Sequence, residues 1–343
     1  MKLVQPSSRQ LVTIVQAMYA VVSAAGRMPM QPLEVDCIAA VQRYLFQQES
    51  PIVGTPGPLP DDLLDILDTP ELRLLTVRIL ALMPVMDRRV LPEKVEVVED
   101  AAARLGVEEV GLSILRYAAR GRYRRVSLLM AKRFIAWWSP VGRARLRDWI
   151  HFMWWMVPRL HGPAMARKNR EMRIRFQGLA KLPEGTFGRT LYDFFAEHEI
   201  PLPGEPRGVP WVMHEVYHVL CEYGVSLEGE LLLTAFSGGS LEDTCLDQLL
   251  FGLLSYHAGK QLVGGVVSEG ILQPDDYFRA MARGASVNVD LAKGWTFWEH
   301  VEVPACELRS RYNLTPISQQ ERNSVSVTNA LLTGPGYSTP VAA

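Results

Sequence analysis

The spacing of apolar positions predicts helices along most of the chain. Near the N-terminus, apolar residues recur three and four positions apart, which is the period of one helix face: Leu11, Ile14, Val15, Met18, Val21 and Val22. This period continues to Trp138, and a Pro/Gly-rich run at 50–60 separates one helical stretch from the next. The pattern predicts an all-α fold, with an N-terminal helical bundle followed by a second helical domain.

The N-terminal apolar stretch, preceded by Lys2, also has the outline of a signal peptide. Gln10 and Gln16 interrupt it, so we interpret it as an amphipathic first helix. No stretch reaches the roughly 18 uninterrupted apolar residues of a membrane-spanning helix. Four widely spaced cysteines without a CxxC pair indicate reduced thiols in a cytosolic setting, and we expect no disulfide.

Residues 24–45 and 84–107 share a layout in which a helix end, a polar turn and a proline precede a new amphipathic helix. This weak repeat resembles the tellurite-resistance TerB-like helical domains over about residues 8–110. The resemblance implies acidic turns that bind metal, but Gly26 and Arg27 stand in the first turn and only Asp87 remains in the second. We therefore interpret the acidic residues near the helix starts as caps or dipole partners: Glu34, Asp36, Glu93 and Glu96.

The segment from Arg116 to Arg175 is strongly basic. It holds sixteen Arg and Lys residues against two acidic residues, a net charge of +14 in a chain whose total is −1. Five of the eight tryptophans are interleaved with them: Trp137, Trp138, Trp149, Trp154 and Trp155. Three interpretations stay open, namely contact with an anionic membrane surface, a tryptophan cluster inside the protein, and nucleic-acid binding. We expect membrane contact and no nucleic acid.

The stretch HEVYHVLCEYGVSLEGE at 214–230 carries the candidate chemistry. Pro210 can begin a helix and Gly224 can end it, which predicts about four turns with His214 and His218 on one face. Glu230 lies in the first turn of the next predicted helix, before an apolar run in which an unpaired carboxylate would be costly. A divalent cation between the three side chains would satisfy all of them. The alternative is two core histidines with ordinary hydrogen-bond partners.

The same stretch contains HExxH, the motif of zinc peptidases, in which Glu215 would be the base. The extended metzincin pattern fails, because Cys221 stands at its glycine and Gly224 at its third histidine. A glutamate ligand from a later helix is possible in such enzymes, but Glu230 follows more closely than they usually require. A metallopeptidase is therefore kept as a minor alternative.

The C-terminal half, about 175–314, resembles the coenzyme Q (ubiquinone) biosynthesis protein 4 family. That family's signature is HDxxH, eleven residues and a Glu usually preceded by Gly, which His214, His218, Gly229 and Glu230 match in register. The segments 185–195, 230–236 and 295–314 also resemble family segments. Glu215 stands where the family has Asp. The resemblance implies a divalent metal site, usually zinc, at four residues: His214, Glu215, His218 and Glu230.

The resemblance also implies a function. The family is associated with removing and oxidising the carboxyl-bearing ring carbon of a polyprenylated aromatic precursor of ubiquinone. We therefore expect an enzyme in which Glu215 is catalytic. We expect it to be homo-oligomeric, to lie peripherally on the cytoplasmic side of the inner membrane and to associate with other quinone-biosynthesis enzymes. The rival function is a non-catalytic lipid-binding scaffold that gathers those enzymes. The substrate would be a quinone precursor or another isoprenoid lipid.

These features divide the chain into four parts. We expect a TerB-like helical domain at 1–112, a basic Trp-rich helical connector at 113–175, a metal domain at 176–314 and a flexible tail at 315–343. The tail prediction rests on its Ser/Thr/Gly/Pro-rich composition without hydrophobic period.

Overall fold

The computed structural model describes residues 1–138, 150, 163–205, 208, 212–262, 268–291 and 293–317, with the side chains of 134–138 and 163–165 left aside. Within these residues the chain forms helices, and strand-type pairing is limited there to two isolated bridges. The predicted all-α fold is confirmed. The α-helices are α1 Ser8–Val22, α2 Pro32–Leu45, α3 Leu63–Ile66, α4 Pro70–Leu82, α5 Pro92–Leu105, α6 Leu112–Ala119, α7 Tyr123–Trp138, α8 Pro163–Gln177, α9 Phe187–Glu197, α10 Met213–Cys221, α11 Leu227–Ser240, α12 Cys245–Gly252, α13 Pro274–Ala285 and α14 Ala305–Arg311.

Helix α1 is the centre of the N-terminal helices. Ser7 caps it in a capping box with Gln10, which satisfies two of the free backbone N–H groups at its start. Most of the helix is buried, and it packs against α2, α4 and α5. The amphipathic-helix interpretation of this stretch is confirmed, and its burial exceeds the single face that the periodicity indicates.

The repeated layout at 24–45 and 84–107 is present in the structure. Pro32 and Pro92 each occupy the first turn of the second helix of a pair, α2 and α5. Glu34 and Lys94 take the same position in these helices and form a buried ion pair, to which Asp87 adds a contact of 3.1 Å with the Lys94 ammonium. Glu34 also accepts a hydrogen bond from the Gln31 backbone N–H, so its predicted capping role is confirmed.

The C-terminal helices are built around α11, which packs against α12 and α13. Glycines allow the backbones of α11 and α13 to touch. A Cβ added at Gly284 would lie 2.0 Å from the Phe236 carbonyl oxygen, and one at Gly239 would lie 2.1 Å from that of Met281. Helix α2 packs on α13, so the N-terminal and C-terminal helices share an interface.

Only part of the basic segment is described. Arg133 of α7 forms an ion pair with the buried Asp247, and the guanidinium of Arg175 lies 3.6 Å from the centre of the Trp298 ring. Trp149, Trp154 and Trp155 lie outside the described residues, as does nearly all of the predicted tail. Within the described part of the chain, no helix combines the length and the apolarity of a membrane span.

Candidate metal centre

Helix α10 carries two of the predicted ligands. It runs for nine residues, from Met213 to Cys221, so the prediction of a four-turn helix is wrong. Glu222 takes a left-handed conformation (φ 65°) and ends the helix before Gly224. Residues four apart lie one turn apart on the same face, and His214 and His218 therefore project together.

Helix α11 carries the third predicted ligand. The Ser226 hydroxyl accepts a hydrogen bond from the Gly229 N–H at 3.0 Å and caps the helix. A Cβ at Gly229 would lie 2.0 Å from the Gly224 carbonyl oxygen, so the turn between the two helices closes tightly only because residue 229 is glycine. Glu230 then lies in the first turn of α11, as predicted from the sequence.

The three side chains converge. The Nε2 atoms of His214 and His218 are 3.1 Å apart. Glu230 Oε2 lies 3.2 Å from His214 Nε2, and Glu230 Oε1 lies 3.3 Å from His218 Nε2. His218 is 1% exposed whereas His214 is 37% exposed, so the cluster is buried on one side and open to solvent on the other.

This geometry fits a divalent cation. Ligand atoms about 2.0–2.1 Å from a tetrahedral zinc are separated by about 3.3 Å, close to all three distances between the ligand atoms. Two imidazoles and a carboxylate are also ligands that zinc commonly takes, and three protein ligands leave one position for water or substrate. His214, His218 and Glu230 could therefore hold a metal ion.

Without a metal, a proton can link the same groups. Partial burial by itself would lower the pKa of His214, but the Glu230 carboxylate overcomes this effect and raises it to about 9. Burial would likewise raise the pKa of Glu230, but the two histidines hold it well below its usual range. An imidazolium at His214 paired with a carboxylate at Glu230 is thus the metal-free counterpart of the metal site.

Glu215 lies beside this cluster but outside the group of three converging ligands. It is buried, and its Oε2 atom has no hydrogen-bond partner among the described residues. Its charge contributes to the raised pKa of His214. Adjacent helix residues point about 100° apart, so Glu215 and His214 face different directions. Glu215 therefore lies near the three candidate ligands without being one of them.

Other contacts around the site were not identified from the sequence. The Tyr223 carbonyl oxygen lies 2.8 Å from His218 Nδ1, an arrangement that assigns the proton to Nδ1 and leaves the Nε2 lone pair for the cluster. Phe194 of α9 stacks on the His218 ring, with centroids 5.5 Å apart. Burial raises the pKa of Tyr256, and the charge of Glu230 raises it further. Phe194 and Tyr256 are distant in the chain from the residues that they approach, so no local spacing pattern could reveal these two contacts.

The chain was compared with protein-family models, curated proteins and solved structures, and none of them matched.

Proposed function

We propose that this chain is a metal-dependent enzyme of ubiquinone biosynthesis that processes the carboxyl-bearing ring carbon of a polyprenylated aromatic precursor. The observation that carries the proposal is the convergence of His214, His218 and Glu230 at 3.1–3.3 Å, with the buried carboxylate of Glu215 next to them. The resemblance of the same residues to the ubiquinone-biosynthesis signature supplies the substrate class.

The residues divide the chemical tasks among them. When bound, a divalent cation, with zinc as our expectation, would supply a Lewis acid for the substrate carboxylate. His214, on the solvent side of the cluster, leaves room for a ligand to approach, whereas His218 is held rigidly in the interior. As the bond between the ring carbon and the carboxyl carbon breaks, CO2 leaves and the electron pair stays on the ring carbon. Glu215, in its protonated form, then donates a proton to that carbon, so that a C–H bond takes the place of the bond to the carboxyl carbon.

Glu215→Gln tests the assignment, because an amide cannot take up a proton but retains the size of the side chain. We expect the variant to retain its metal, measured by elemental mass spectrometry, since all three converging ligands remain. Quinone production should fall in cells that lack their own homologue and carry this variant at matched protein abundance. Normal quinone levels would contradict the catalytic assignment.

The same experiment separates the rival functions. A scaffold would tolerate Glu215→Gln with quinone production intact, but Glu230→Ala would damage both scaffold and enzyme by opening the metal site. A metallopeptidase would cleave generic peptides and lose that activity in Glu215→Gln. We expect no peptide cleavage by the wild type or by the variant.

A polyprenylated substrate resides in a membrane, so the proposal includes peripheral contact with an anionic bilayer through the basic segment at 133–159. Such attraction weakens as salt screens the charges. Liposome flotation at low and high salt tests it. Equal flotation with neutral and anionic vesicles at low salt would favour the interpretation of an internal tryptophan cluster.

A further inference from the structure

Two arginines from distant helices hold the C-terminal end of α10, the helix that carries both histidines. Arg309 of α14 donates to the carbonyl oxygens of Val219 and Leu220 at 2.8 and 3.1 Å. Arg283 of α13 donates to the carbonyl oxygen of Cys221 at 2.7 Å. The last four carbonyls of a helix have no partner within the helix, and they carry its partial negative charge. Three of these four groups therefore receive charged donors.

Both arginines are fixed by further contacts. Arg283 is buried; its Nε atom donates to the Thr315 carbonyl oxygen at 2.6 Å, and its guanidinium lies 5.4 Å from the centre of the Tyr223 ring. Arg309 is largely buried and lies 3.6 Å from the carboxylate of Glu222. Each planar guanidinium thus bridges two groups at once, which an ammonium does less well.

The residues that these arginines hold lead directly to a metal ligand. Glu222 reverses the chain in a left-handed conformation, and this reversal brings the Tyr223 carbonyl back to His218 Nδ1. That hydrogen bond orients the imidazole and directs Nε2 towards His214 and Glu230. A shift of the last turn of α10 would rotate the imidazole away from the other two ligands.

We propose that Arg283 and Arg309 are positioning residues of the metal centre, which keep the last turn of α10 in the conformation that orients His218. This inference rests on the proposed metal site. The proposal also assigns a structural role to the segment 295–314, because Arg309 in that segment contacts the helix that carries the two histidines.

Cobalt(II) is a suitable probe, because its visible absorption reports ligand geometry independently of enzyme activity. We would compare the wild type with Arg309→Gln and with Arg311→Gln as the matched control. Arg311 lies on the same helix, but it pairs with Glu307 at the surface. We expect Arg309→Gln to bind cobalt about 10–100-fold more weakly, the usual cost of losing a group that orients a ligand, and with an altered spectrum. Arg311→Gln should match the wild type.

Arg283→Lys is the second variant, because lysine retains the charge and most of the volume of the side chain. It tests the proposal if Arg309→Gln does not fold. We expect a spectral change in the same direction and at least a few-fold loss of cobalt affinity, as the lysine cannot bridge both carbonyls. Circular dichroism selects the folded variants for comparison. Wild-type affinity and spectrum in the folded variants would overturn the positioning role alone, whereas a wild type that binds no cobalt would overturn the metal site as well.

Discussion

Glu34, which is buried, and Glu230, which is largely buried, are carboxylates in the first turns of α2 and α11, but they are neutralised in different ways. Glu34 meets the ammonium of Lys94, which is 1% exposed and belongs to the chain itself. Glu230 meets two imidazoles, whose charge depends on a proton. Burial raises the pKa of Glu34, with Lys94 opposing the rise, whereas the histidines hold the pKa of Glu230 well below its usual range.

The difference shows how one physical requirement can produce either a structural pair or a binding site. A carboxylate in a low-dielectric interior needs a compensating cation. Lys94 provides a permanent cation that fills the space between Glu34 and Asp87, so no ion is required there. At Glu230 the cation is exchangeable, because a proton on His214 can be replaced by a metal that uses the freed imidazole nitrogen.

The largest effect on the free energy of unfolding is expected from replacing Lys94, the cation that neutralises Glu34. Lys94→Met leaves Glu34 and Asp87 without their common partner, and breaking a buried ion pair in this way costs about 3–5 kcal/mol. Urea unfolding of the metal-free protein would measure the loss. Lys94→Met combined with Glu34→Gln should recover much of it, because the buried charge is removed as well. A single variant as stable as the wild type would contradict the structural role of Lys94.

Added metal should stabilise the protein only where the cluster of His214, His218 and Glu230 is intact. Zinc at about 100 times its Kd should raise the free energy of unfolding of the wild type by about 2.7 kcal/mol. Glu230→Ala should gain almost nothing, because a ligand is missing, whereas Lys94→Met should gain as much as the wild type. Thermal or urea unfolding with and without zinc provides the measurement. Equal zinc effects in the wild type and in Glu230→Ala would exclude the proposed ligand set.

A smaller, graded effect is expected from pH. The pKa of His214 is raised to about 9, so below that pH zinc must displace a proton. Zinc affinity should then rise by up to about tenfold per pH unit from pH 6.5 to 8, which is about 1.4 kcal/mol per unit. In the metal-free protein, the stabilisation from the raised pKa is complete below about pH 6.5 and is lost as the pH rises through about 9.

Competition with a fluorescent zinc chelator at several pH values would measure this dependence. His300→Gln is a suitable control, because His300 stacks on Trp295 and is not part of the ligand cluster. The control should retain the pH dependence of the wild type. An affinity that stays constant from pH 6.5 to 8 would show that His214 is not protonated in the metal-free protein.

Some of these features could be predicted from sequence because they are local. Four-residue spacing puts His214 and His218 on one face of any α-helix, whatever surrounds it. The apolar run after Glu230 places this residue in the first turn of a helix, where the structure has it. The length of α10 could not be predicted in this way, because Glu222 ends it in a left-handed conformation that its residue type does not favour.

The sequence by itself determined the all-α class and identified His214, His218 and Glu230 as candidate ligands, because these follow from hydrophobic period and side-chain chemistry. Only the tertiary structure decided which charged side chains pair with each other and with the end of α10. Lys94 lies between Glu34 and Asp87, and Arg283 and Arg309 reach the end of α10 from about 60 and 90 residues away in the chain. Such pairings arise from how helices pack. The close approach of α11 and α13 at Gly239 and Gly284, for example, sets the position of the helix that carries Arg283.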